Sequence, residues 1–272
     1  MPLPSSMPLP SSIDDVLERL ESILADAEAH NKRTGYFAAL YHKVTSGVKA
    51  GIARGVFQDG PRMARLDVIF ANRYLDALDC WEKGKPLTDS WKTAFDATLR
   101  ASPLILQHLL LGMNAHINLD LGIAAVETMQ NQPIENIHAD FDSINTIIGS
   151  LTNEVLRDID NMSPLLSLLG LHASNTNSFL IQFSIGNARD GAWCFAEALG
   201  DLQGAAYLEC IDARDKDIAK LAGTLTHNKG LLKFTLGLIH LFEWKSAKKI
   251  IRGLDTYQKK TLKASSIADQ KS

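Results

Sequence analysis

PLILQHLLLGMNAHINLDLGIAAVETMQ, residues 103–130, decides the fold. Apolar residues occupy almost every position, so a helix through this stretch has no face that suits water and must be buried on most sides. Pro103 fits a first helical turn, and Asn131-Gln132-Pro133 fits a stop. A buried helix needs other elements to cover it, and the rest of the chain has the composition for helices. Val occurs only seven times in 272 residues, while Leu and Ala are abundant. The expected fold is therefore all-α: a single compact multi-helix domain of roughly nine helices around a central buried helix.

The polar residues inside this apolar rod are its second message. His108, Gly112, His116 and Asp120 stand four residues apart and share one helix face, and Asn114 and Asn118 add a second polar line. An unpaired buried polar group costs about 1–3 kcal/mol, so a stripe of them needs a polar network or a pocket. His116 and Asp120 are spaced to meet, and a carboxylate beside an imidazole orients the ring and supports it as a general base. Three readings stay open here: an acid–base dyad, half of a metal site, and a purely structural network. The metal reading needs a third ligand from another helix, with Asp67, Asp140 and Glu197 as candidates. No metal or other cofactor is favoured, and a divalent cation on His116 and Asp120 is the alternative. The chain contains no HExxH and no paired ExxH of the di-iron bundle kind.

Working outward, the helix around LDVIFANRYL (66–75) turns Leu66, Ile69, Phe70, Tyr74 and Leu78 inward. Asp67 and Arg73 fall in or beside that apolar side. Buried charges are rarely tolerated alone, so the pair reads either as an internal salt bridge or as an anion clamp with a further site carboxylate. In SIGNARDGAWCFAEALG (184–200), Gly186, Arg189, Trp193 and Glu197 recur every three to four residues. Arg189 is placed to stack on Trp193 or to reach a distant carboxylate, and Gly186 and Gly191 are placed to allow a close approach. Close helix packing with a solvated charged edge is the alternative. The expected catalytic set is His116, Asp120, Asp67 and Arg73. The expected substrate-binding set is Asn114, Asn118, His108, Tyr74, Arg189 and Trp193.

Around this core, a first helix starts at Ser11 or Ser12 with Asp14, Asp15 and Glu18 in its opening turns. Further helices are expected over Tyr36–Ala53, Arg62–Lys83, from an Asp89 or Ser90 cap through Leu99, Ala139–Asp160, Phe179–Leu202, Ala205–Thr226 and Gly230–Leu262. Residues 1–11 carry a doubled MPLPSS, a duplicated leader or fusion scar, and are expected to be disordered. The domain is expected over 12–262 and a disordered tail over 263–272. The last helix is apolar first and basic afterwards. It suits a core-docked helix with a solvated end, with contact to an anionic membrane surface as the weaker alternative.

Composition narrows the function classes. With 28 Lys and Arg against 31 Asp and Glu, the chain has no general basic excess for nucleic acid. Three cysteines without CxxC spacing exclude a disulfide scaffold and a cysteine-rich zinc module, and Cys80 and Cys194 read as buried hydrophobes. GxGxxG, GxxxxGK[ST], GxSxG and DDxxD are all missing. No run reaches the roughly 18 uncharged apolar residues of a membrane span. These features suggest a cytoplasmic protein with a small-molecule partner, no nucleic acid and no transmembrane segment.

YFAALYHKVT, GVFQDGPRMARLDVIFANRYL, Trp91 and HLLLGMNAHINLDLGIA together resemble the domain of unknown function 5995 family, found mostly in bacteria. The resemblance covers about half the chain strongly, with Arg189 and Trp193 a weaker match, and the leader and basic tail depart from it. It implies an all-α fold and draws attention to Asp67, Arg73, His116, Asn118 and Asp120, with no activity attached. The expectation is an all-α enzyme acting on a small, partly apolar molecule by acid–base chemistry: isomerisation, elimination, cyclisation or hydrolysis. The alternatives are a non-enzymatic small-molecule or lipid-binding protein and an interaction module with a structural polar core.

Overall fold

The computed structural model describes residues 8–130, 132–172, 184–226 and 229–255. Residues 1–7 of the expected leader over 1–11, the ASNTNS loop, the start of a helix at Phe179, residues 256–262 of the last expected helix and the tail over 263–272 lie outside the described residues. Within the described residues there are eleven α-helices and no strand, so the chain is all-α. Their count exceeds nine because two long expected helices are interrupted.

Helix α1 (Ile13–His30) opens with a reciprocal cap, in which Ser12 accepts from the Asp15 amide and the Asp15 carboxylate accepts from the Ser12 amide. It ends at Asn31, whose left-handed φ of 53° stops the helix. Helix α2 (Gly35–Ala53) follows, then α3 (Gly60–Glu82), capped by Asp59 with Pro61 in its first turn. Helix α4 (Asp89–Thr98) is capped from outside. Neither Asp89 nor Ser90 is the cap; both of their amides donate to Asp215, at 2.6 and 3.0 Å. Asp215 lies in a later helix, Gly204–Thr226, far along the sequence, so no local pattern marks it.

The central rod consists of α5 (Ile105–Ala115), one π-helical turn (His116–Asp120) and α6 (Leu121–Met129). It starts at Ile105 rather than Pro103 and ends at Gln130, which takes a left-handed φ of 47°. The run Ile105–Met129 is long and apolar enough to cross a bilayer, contrary to the sequence expectation, but 83% of its apolar window is buried inside the fold. Its partners are α2, α3, α4, the later α8 (Ile185–Gly200) and α9 (Gly204–Thr226). Two glycines let neighbours approach the rod. A Cβ on Gly112 would sit 2.5 Å from the Phe37 ring, and one on Gly122 would sit 2.7 Å from Phe195 and 2.9 Å from the Ala192 carbonyl. Gly186 and Gly191, expected in that role, have ordinary space around them.

Helix α7 (His138–Met162) is preceded by a short 3-10 turn, Ile134–Ile137, and a second 3-10 turn, Leu166–His172, follows it. The expected Gly230–Leu262 helix is broken into α10 (Gly230–Phe242) and α11 (Ala247–Asp255). The break has a cause. Glu243 leaves the helix with ψ 149° and is buried, where its carboxylate accepts from the Ile105 amide at 3.0 Å and from the Ser163 hydroxyl. The buried start of α5 needs an acceptor for its free amides, and the chain gives up one helical turn to supply it.

Candidate functional site

The π turn holds both residues of the expected dyad. Its i→i+5 hydrogen bonding widens the helix at His116–Asp120, a local irregularity often found where a helix carries function. His116 Nδ1 lies 3.2 Å from Asp120 Oδ2. That same oxygen accepts from Trp91 Nε1 at 2.7 Å, and Oδ1 accepts from Arg73 Nε at 2.8 Å. Arg73 is also 3.8 Å from Glu127. The two sequence alternatives for Arg73 thus resolve into a salt bridge, with Asp120 rather than Asp67 as the partner.

The imidazole sits in an aromatic cage. Phe70 stacks on it with centroids 3.5 Å apart and planes 7° apart, and Tyr41 meets it edge-on at 4.6 Å. Phe37, Trp91 and Tyr74 complete the surround at 5.6, 5.8 and 6.2 Å. Burial, helped by the Arg73 charge, outweighs the support from Asp120 and holds the His116 pKa below its usual value of 6.5. Burial opposes ionisation of Asp120 too, but the His116 hydrogen bond, the Arg73 charge and the Trp91 N–H hold its carboxyl below the ordinary carboxylate value. An ionised Asp120 only accepts, so the proton of the neutral imidazole belongs on Nδ1. Nε2 then carries a free lone pair, and it has no hydrogen-bond partner.

His116 lines a cavity of about 100 Å³ between α2, α3, the central rod, α7 and the start of α8. Its wall is otherwise made of Leu40, Val44, Met63, Leu66, Met113, Ile117, Ile144 and similar side chains. Asp67 and Arg189 are the two charge-bearing groups added to the wall. Asp67 is buried with Oδ2 unpaired, and burial pushes its carboxyl up to about 7. Arg189 donates to the Phe141 carbonyl and lies 4.4 Å over the Phe141 ring, with its Nε unpaired. Burial lowers its pKa to about 10, which leaves it charged at neutral pH. Tyr41 adds a buried hydroxyl.

A family model described as a family of unknown function, DUF5995, matches residues 13–228. The chain belongs to the DUF5995 family. No curated protein and no solved structure matches it. All the cavity residues fall inside the family region, whereas α10 and α11 lie beyond it.

Several expected site residues of this DUF5995 chain lie elsewhere. Asn118 Nδ2 donates to Asn114 Oδ1 at 3.0 Å, and Asn114 Nδ2 donates to the Ile218 carbonyl at 3.0 Å. The asparagines therefore fasten the rod to α9, away from the cavity. His108 stands near Arg33, Tyr36, His240 and Glu243 in a separate polar cavity. Burial, then the charges of Arg33, Arg100 and His240, lowers its pKa to about 3. Tyr74 is in the aromatic cage but not in the cavity wall. Trp193 packs on His138 at 4.3 Å and donates to Glu197 at 2.7 Å, so Arg189 stacks on Phe141 instead. Of the third-ligand candidates, Asp140 accepts from Arg62 at 2.7 Å and from the amides of Gln58 and Asp59, which ties α7 to the start of α3. Glu197 is exposed. Among the described residues no group of three or more His, Cys, Asp or Glu is arranged around a common point. Cys194 is exposed and Cys80 only half-buried, contrary to the expectation of two core thiols.

The sequence reading missed Phe37, Tyr41 and Trp91 as site residues. Phe37 and Tyr41 are one turn apart on α2, and their rings stack at 5.8 Å. That i,i+4 aromatic pair was the available signal.

Asp67 has a measurable consequence. In the unfolded chain it ionises near 3.8, in the fold near 7. The unfolded state therefore loses the proton first, and Asp67 destabilises the fold progressively from about pH 4 to pH 7 and fully above. Asp67→Asn should raise the unfolding free energy at pH 8 by about 4 kcal/mol and leave it unchanged below pH 4. Urea unfolding at the two pH values checks this; equal shifts at both would remove the buried carboxyl from the argument.

Proposed function

We propose that the cavity beside His116 is the site of an enzyme that moves a proton on a small, mostly apolar molecule carrying one carbonyl or carboxyl oxygen. The observation that supports this reading is the meeting of an unpaired, unprotonated imidazole nitrogen, a carboxyl held protonated to about pH 7 and a guanidinium in an otherwise hydrocarbon wall. Perturbed titratable groups converging on an apolar pocket are the usual mark of a catalytic site. At about 100 Å³ the cavity suits a compact molecule. A hydrocarbon-lined cavity of about 150 Å³ accepts benzene.

In this reading His116 Nε2 takes a proton from a carbon next to the carbonyl while Asp67 gives its proton to the carbonyl oxygen, forming an enol. Where a carbon–carbon double bond adjoins the deprotonated carbon, the enol is a dienol, and His116 returning the proton to the far carbon of that dienol as Asp67 takes back the hydroxyl proton yields the conjugated isomer, with no net change in the protein. Arg189 attracts the oxygen as charge develops on it. Asp120, Arg73 and Trp91 are positioning residues, since they fix the imidazole tautomer and its ring plane. Both Asp120 oxygens are already used by N–H donors, which favours acid–base chemistry over a cation at this pair. A second reading, a binding protein without turnover, is favoured by how little of the wall is polar.

The test is proton exchange. Butanone in D2O with the wild-type protein should lose its α-protons, followed by NMR, faster than in buffer. Saturable stabilisation of the protein by the ketone in thermal unfolding, without exchange, would select the binding reading. Neither stabilisation nor exchange across a set of small ketones and carboxylic acids would leave the polar core as structural.

A further inference from the structure

Helix α10 turns hydrocarbon outward. Leu232, Thr235, Leu236 and Ile239 are buried, and the opposite face carries Leu231, Phe234, Leu238, Leu241 and Phe242. Leu231 is 72% exposed, Phe234 70% and Leu241 69%, and Trp244 stands exposed just beyond the helix. A single exposed Leu needs no explanation, but five large apolar side chains on one helix face do.

Along the chain, the exposed charge flanking this face has one sign. Lys229, Lys233, Lys245, Lys248 and Lys249 are all exposed, and Glu243, the sole acid between 229 and 249, is buried and bonded to Ile105 and Ser163. Thirteen residues are too few to cross a bilayer. An apolar face rimmed by lysines, with a tryptophan at its end, is the arrangement of a helix that lies in a membrane interface. A second copy of the chain would bring two lysine rims together, and protein interfaces are depleted in Lys. The helix lies outside the family region and apart from the His116 cavity.

We propose that α10 seats the protein on the surface of an anionic phospholipid membrane. Its apolar face enters the boundary between headgroups and acyl chains, and the flanking lysines meet lipid phosphates. This is independent of any reaction at His116.

Sedimentation of the full chain with vesicles tests it. Binding is expected to vesicles of phosphatidylcholine with about one third phosphatidylglycerol, and much less to phosphatidylcholine alone. Raising the salt from about 0.1 to about 0.5 M should weaken it several-fold. The double variant Phe234→Ser/Phe242→Ser should bind about tenfold or more weakly. Lys233→Glu/Lys249→Glu, which leaves the apolar face intact, should lose the preference for anionic lipid. Absence of binding to either vesicle, or binding that the phenylalanine variant does not change, overturns the proposal. So does a concentration-dependent dimer in ultracentrifugation that the same variant abolishes while vesicles stay free.

Discussion

Asp120→Ala is expected to lower the unfolding free energy by about 3–5 kcal/mol, the scale of breaking a buried ion pair by removing one partner. The carboxylate is the common acceptor for three donors, Arg73 Nε, Trp91 Nε1 and His116 Nδ1. Its loss strands a largely buried guanidinium and two buried N–H groups at once, each carrying its own desolvation cost. Asp120→Asn should fall between, because an amide retains one acceptor for Arg73 but turns its NH2 toward the Trp91 N–H. The informative control is Arg73→Met with Asp120→Leu, which removes both charges and should restore much of the loss. Denaturant unfolding followed by tryptophan fluorescence measures all three. A cost under about 1 kcal/mol for Asp120→Ala would mean that water reaches this carboxylate.

That stability cost makes Asp120 a poor probe of catalysis, and His116 the better one. His116→Gln should lower turnover by about 10² or more, the usual worth of a positioned general base. Stability should change by only about 1–2 kcal/mol, since His116 makes a single hydrogen bond. The pH dependence carries a second signature. Activity should rise with pH through a value below 6.5 as His116 loses its proton, and fall again near 7 as Asp67 loses its own. A narrow bell results, and Asp67→Asn should remove its alkaline limb. The proton-exchange assay read across pH checks both. A His116→Gln protein with unchanged exchange and an unchanged bell would take the base role away from this residue.

The all-α architecture and the burial of residues 105–129 were legible in the sequence because both follow from periodicity and composition, which are local. So was the His116–Asp120 contact, since four residues on a helix bring two side chains together. The same rule does not bring His108 or the asparagines to the cavity beside His116. A stripe along one helix is shared among several neighbours, and the rod meets α9 at Asn114 and Asn118 but α2 and α3 at His116.

What only the tertiary structure decided are the relations between distant elements. Nothing near Arg73 in sequence shows that it meets Asp120, nothing near Asp215 that it caps α4, and nothing near Glu243 that it caps α5 and so breaks the last helix. The π turn is likewise invisible in sequence, because it arises from how the packed rod settles against its neighbours. By itself the sequence determined which segments form helices and which side chains cannot face water. Which buried polar groups find partners, and which four keep an unpaired atom around one cavity, depends on how those helices pack, because satisfaction of a buried charge is a property of the partner helix as much as of its own.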